Sequence, residues 1–138
     1  MKVRWTKNSF RLRITPRELD ALEQGDPVRE EIRIPGSALP GWTVVLQTGS
    51  FGTSLQQLGC SVLFLLGNAD LSRLSSPKAE GVYFEVDPTD ISRPGTGNRG
   101  VFRYYIEKDF PCIHPRAGDA MEEPTETFET PAHFAERK

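Results

Sequence analysis

Glu107, Asp109, Cys112 and His114 fall within eight residues near the end of the chain. Carboxylate, thiolate and imidazole are the side chains that ligate transition metals. On an extended strand Glu107 and Asp109 share a face, whereas the turn at Pro111 leaves the direction of Cys112 and His114 open. A closed structural zinc site would consume nearly every cysteine and histidine of a chain that has two of each. The same stretch offers thiol chemistry, with Cys112 as nucleophile and His114 or His133 as base. Lys108 and Arg116 would supply the positive surroundings that lower a thiol's pKa. The sequence identifies no third group to orient the base. The plainer expectation is an unreactive Cys112 that packs as a small apolar side chain, with His114 on a surface loop. No cofactor is expected.

The second chemically capable set is cationic. In MKVRWTKNSFRLRI apolar and polar residues alternate twice around Thr6-Lys7-Asn8-Ser9. Val3, Trp5, Phe10, Leu12 and Ile14 point one way. Lys2, Arg4, Arg11 and Arg13 point the other, with no carboxylate among them. Alternation about a polar turn predicts a β-hairpin with one buried face. Like charges opposite each other on neighbouring strands destabilise a sheet unless an anion or acid lies between them. Arg4, Arg11 and Arg13, with Tyr105 as a stacking neighbour, are therefore the expected binding residues for a phosphate, carboxylate or nucleic-acid backbone. Arg29 and Arg33 extend the patch if their strand lies alongside, and Tyr83 adds a second ring. The competing expectation is that Glu31, Glu85 and Glu107 neutralise this face within the molecule.

The elements that must hold these residues follow from local signals. Thr15-Pro16-Arg17-Glu18 reads as a capping box with proline at the first helical position. Leu19 and Leu22 then share a helical face, and Gly25 ends the helix. Val28 to Ile34 alternates again, with Glu30 interrupting the apolar side. Trp42–Gln47 and Cys60–Leu66 read as strands, the second of them buried. A second short helix, capped by Asn68 or Asp70, is expected to end near Ser75. Val82, Phe84 and Val86 face inward on a further strand, as do Phe102, Tyr104 and Ile106 on the last. The glycines of Gly49-Ser50-Phe51-Gly52-Thr53-Ser54 lack the Gly-Lys-Ser/Thr ending of a phosphate loop and predict an ordinary turn. Residues 87–100 read as a long hairpin connection.

Together these predict an α+β fold of about seven strands and two short helices. The expected form is a mainly antiparallel curved sheet or half-open β-barrel. Residues 1–116 are read as a single domain. Residues 117–138, acidic and rich in proline, are read as an extended or partly disordered tail drawn toward the basic face. An apolar fraction of 37% suffices for a core, and a net charge of −2 argues against a globally basic nucleic-acid binder. No apolar run approaches the length of a membrane span, and the first residues lack the apolar core of a signal peptide. A cytoplasmic protein with reduced cysteines is expected, with no membrane partner.

Two segments resemble a known family. KVRWTKNSFRLRITPRELDAL and YYIEKDFPCIHPR are similar to the opening and late signature of an uncharacterised group of small bacterial proteins, a domain of unknown function. The resemblance spans residues 1–116 and implies no activity. Beyond it, Phe128-Glu129-Thr130-Pro131 departs from the family's aromatic-x-Asn-Pro ending. The expected function is a small non-enzymatic binding module that uses the basic sheet face for an anionic ligand or partner. The alternative is an enzyme or metal-binding protein centred on Glu107, Asp109, Cys112 and His114. A third expectation is assembly, with the amino hairpin edge pairing to form a homodimer.

Overall fold

The computed structural model describes residues 1–39, 41–86, 101–111 and 126–134. The described residues form four antiparallel hairpins. Lys2–Thr6 (β1) pairs antiparallel with Ser9–Ile14 (β2), and Val28–Ile32 (β3) with Trp42–Gly49 (β4). Ser54–Leu58 (β5) pairs likewise with Ser61–Gly67 (β6), and Gly81–Val86 (β7) with Phe102–Lys108 (β8). The hairpins then join in twos through parallel contacts, β2 with β8 and β4 with β6. The outcome is two separate four-stranded mixed sheets, in the orders β1-β2-β8-β7 and β3-β4-β6-β5. The mostly β fold with two short helices and mainly antiparallel pairing forms as expected, but as two open sheets rather than one curved sheet or half-open barrel. Hairpin-length connections specify which neighbours pair antiparallel, but carry no information on which hairpins lie side by side. Among the described residues there are eight strands, because Ser54–Leu58 also pairs.

The inner faces of the sheets share one core. Leu12, Ile14, Val82, Tyr104 and Ile106 come from the first sheet, and Val28, Val44, Leu46, Phe64 and Leu66 from the second. Phe64 bridges them, edge-on to Phe10 at 5.1 Å and to Tyr104 at 5.9 Å. Two eight-residue helices, Pro16–Glu23 (α1) and Asn68–Ser75 (α2), follow β2 and β6. Their Leu19, Leu22 and Leu74 close one end of the core. Each fully buried leucine contributes roughly 1.5–3 kcal/mol.

Helix α1 starts as its sequence requires. The Thr15 hydroxyl accepts from the Glu18 N–H, and the Glu18 carboxylate accepts from the Thr15 N–H. Such a cap stabilises by about 1 kcal/mol. Gly25, at φ +87°, turns the chain out of the helix in a conformation that a side chain disfavours. Helix α2 reaches the same end by other chemistry. Its N-cap is Gly67, which has no side chain to cap with. The Thr53 hydroxyl substitutes, accepting from the Gly67 N–H at 2.9 Å and donating to Asp70 at 2.6 Å.

The two halves of the chain are built alike. Lys2–Thr6 corresponds to Ser54–Leu58, Ser9–Ile14 to Ser61–Leu66, Thr15 to Gly67, and Pro16–Glu23 to Asn68–Ser75, at one constant offset. Each half is a hairpin, a helix and a second hairpin. Exchanging the halves converts the strand order of one sheet into that of the other. The correspondence extends to Met1 and Thr53. The Met1 ammonium contacts Glu18, the third residue of α1, as the Thr53 hydroxyl contacts Asp70, the third of α2. The ammonium also donates to Glu30 at 2.9 Å, which explains the carboxylate that interrupts the apolar side of β3. Burial alone would lower the ammonium's pKa, but the hydrogen bonds and charges of Glu18 and Glu30 outweigh it and raise the value.

Gly67 sits where the chain preceding β5 crosses it. A Cβ there would lie 2.6 Å from the Phe51 carbonyl oxygen and 3.1 Å from the Thr53 nitrogen, both backbone atoms. Gly67→Ala should therefore lower the unfolding free energy by about 1–3 kcal/mol in urea titrations. A loss below about 0.5 kcal/mol would show that the crossing segment yields freely.

Candidate functional site

The outer face of the first sheet carries the basic residues in rows set by strand register. Lys2, Arg13 and Glu107 form one row. Arg4, Arg11, Tyr105 and Tyr83 form the next, and Ser9, Arg103 and Glu85 a third. The sheet thus brings Arg4, Arg11, Arg13 and Tyr105 together on one surface, with Arg4 directly opposite Arg11. Arg11 lies over the Tyr105 ring, 5.1 Å from its centroid, and Tyr105 meets Tyr83 edge-on at 5.6 Å.

Acids already enter this face. Glu107 lies 3.6 Å from both Arg11 and Arg13. Arg103 donates to Glu85 at 2.9 Å, and that bond raises the guanidinium's pKa. Lys2 Nζ lies 3.0 Å from Asp109 Oδ2. Asp109 is only 2% exposed and that oxygen accepts no hydrogen bond, so this is a charge contact without hydrogen-bond alignment. No ion pair joins Arg4 to another described residue. Arg29 and Arg33 do not extend the patch, because β3 belongs to the other sheet. Arg33 lies beyond that strand and donates to Glu31 at 2.9 Å.

Of the alternative cluster, Glu107 and Asp109 both engage cations of this face. Cys112 and His114 lie outside the described residues. Among the described residues no group of three or more His, Cys, Asp or Glu side chains is placed to hold a metal. His133 is taken up by Glu80, at 2.6 Å. Cys60 is an exposed turn residue ahead of β6, not part of a buried strand, because Gly59 at φ +57° makes the hairpin turn.

The described part of the acidic tail docks on Asp109, Phe110 and helix α1. Phe128 and Phe134 pack on Phe110, and the Phe128 N–H donates to the Asp109 carbonyl. Glu126 reaches Arg17 of α1 at 2.9 Å. Lys108, under the Phe128 ring, donates to the Ser76 carbonyl at 2.7 Å, and burial lowers its pKa.

A second site has no counterpart in the sequence reading. The helices close one end of the space between the sheets, and nothing described fills the other. There the inward side chains enclose an apolar cleft of about 680 Å³. Every strand contributes: Val3 and Trp5 from β1, Phe10 from β2, Ile32 from β3, Trp42 and Val44 from β4. The second half supplies Leu55, Gln56 and Gln57 from β5, Val62 from β6, Val86 from β7 and Phe102 from β8. Trp5 is 61% exposed and Trp42 53%, and they are the only tryptophans of the chain. The one signal in the sequence was Trp5 on the inward side of its hairpin. Alternation shows which way a residue points, but not whether anything packs over it.

Residues 1–132 match the family of unknown function DUF7009. The chain belongs to that family. No curated protein and no solved structure matches the chain. Among the described residues no helix is long and apolar enough to cross a membrane.

Proposed function

We propose that this family member is a non-enzymatic binding module whose ligand is a small, largely apolar molecule held between the two sheets. The observation that carries the reading is the cleft itself, roofed by two exposed indoles and lined from all eight strands. Its volume falls in the range of about 300–1,000 Å³ typical of small-molecule sites. Exposed apolar surface of this kind costs free energy in water unless something covers it. Among the described lining residues there is no carboxylate, imidazole, thiol or hydroxyl to serve as acid, base or nucleophile. That composition suits binding rather than catalysis.

A second reading, an anion site on the outer face of the first sheet, has one observation in its favour. Arg4 and Arg11 stand opposite each other, and the nearest acid, Glu107, is divided between Arg11 and Arg13. An oxyanion bridging Arg4 and Arg11 would relieve that repulsion. Glu107→Gln frees two guanidinium groups and should enlarge the rise in Tm that inorganic phosphate causes. A Tm unmoved by phosphate in both parent and variant ends this reading.

For the cleft, the neutral apolar fluorophore N-phenyl-1-naphthylamine is the direct probe. Its emission should rise on binding while tryptophan emission falls by energy transfer, because both indoles line the site. Trp42→Ala removes one wall and should weaken binding by about tenfold or more. A folded protein whose tryptophan emission ignores the probe would overturn the proposal.

A further inference from the structure

The two halves of the chain place corresponding residues around the cleft. Val3 corresponds to Leu55 and Phe10 to Val62 by the constant offset of the first hairpins. Ile32 corresponds to Val86 as the last inward residue of the second hairpin's first strand, and Trp42 to Phe102 at the start of its return strand. In these four pairs both members are apolar. The fifth pair, Trp5 and Gln57, is not. Both stand at inward positions, Trp5 beside Phe10 and Gln57 beside Val62 on their ladders. Gln56 also borders the cleft at this edge strand, but strand alternation directs its side chain to the opposite face. One half therefore contributes an indole where the other contributes a carboxamide.

The carboxamide is uncommitted. No hydrogen bond joins Gln57 to another described residue. It can both donate and accept. The described lining carries no charged side chain, so a carboxylate or ammonium drawn into the cleft would lose water without gaining a counter-charge. Aromatic walls from Trp5, Phe10, Trp42 and Phe102 favour a flat ring.

We infer that the ligand is a neutral aromatic compound bearing one hydrogen-bonding substituent, a hydroxyl or an amide. Its ring lies against the indoles and its polar group meets Gln57. This rests on the cleft reading above and adds the polarity of one wall. The ligand lies in one orientation, because only one of the two halves offers it a hydrogen bond.

Displacement of N-phenyl-1-naphthylamine from the full chain tests it, with 2-naphthol, naphthalene and 2-naphthoate as competitors. In the parent, 2-naphthoate should displace the probe least. Gln57→Leu should weaken 2-naphthol about three- to tenfold, the worth of one net hydrogen bond. The same change should leave naphthalene unchanged or tighter. Gln57→Met serves as a second variant of similar length, and Gln56→Leu should not alter the order. If the fluorophore binds but Gln57→Leu and Gln57→Met shift 2-naphthol and naphthalene alike, the polar-wall inference is wrong and the cleft reading stands. If the fluorophore binds neither parent nor variants, both fall.

Discussion

The structure depends on two apolar sheet faces that must be buried against each other. Neither four-stranded sheet could present Leu12, Ile14, Val82 and Ile106, or Leu46, Phe64 and Leu66, to water without a large hydrophobic cost. Stacking the sheets removes that cost, and Phe64 ties them by ring contacts to Phe10 and Tyr104. The return strands β2, β4, β6 and β8 lead away from the cleft, and β2 and β6 run on into the helices. Leu19, Leu22 and Leu74 thus fill one end of the interior. No equivalent filler reaches the other end among the described residues. The cleft is the remainder of the same interior, bounded by the same strands.

This division also separates the packed core from the open end of the interior. The residues near the helices are fully buried and make the core. The residues near the hairpin turns continue the inward alternation, yet Trp5, Ile32 and Trp42 stay exposed. The outer face of the first sheet behaves differently again. Its cations are mostly engaged by Glu107, Glu85 and the buried Asp109, and an exposed pair such as Arg103–Glu85 contributes about 0–1 kcal/mol.

Local features were legible in the sequence because their causes are local. The amino hairpin, the Thr15–Glu18 capping box, the stop at Gly25 and the inward sets Val82-Phe84-Val86 and Phe102-Tyr104-Ile106 all form. So does the grouping of Arg4, Arg11, Arg13 and Tyr105 on one face. The parallel contacts of β2 with β8 and β4 with β6 join segments whose spacing says nothing about adjacency. Ser54–Leu58 is not legible as a strand, because SLQQL beside a Gly/Ser-rich turn lacks clear alternation. The internal repeat is equally hidden. Through the first hairpin and helix, identity between the halves is confined to Ser9/Ser61, Leu19/Leu71 and Leu22/Leu74. What the halves share is polarity pattern and element length, which many sequences satisfy.

The most direct test of the unfilled interior is where an apolar probe touches the protein. Nuclear Overhauser contacts measured by NMR at saturating N-phenyl-1-naphthylamine should run from its ring protons to the indoles of Trp5 and Trp42 and the rings of Phe10 and Phe102. Contacts confined to Tyr83 and Tyr105 on the outer face, or no contacts at all, would contradict the account.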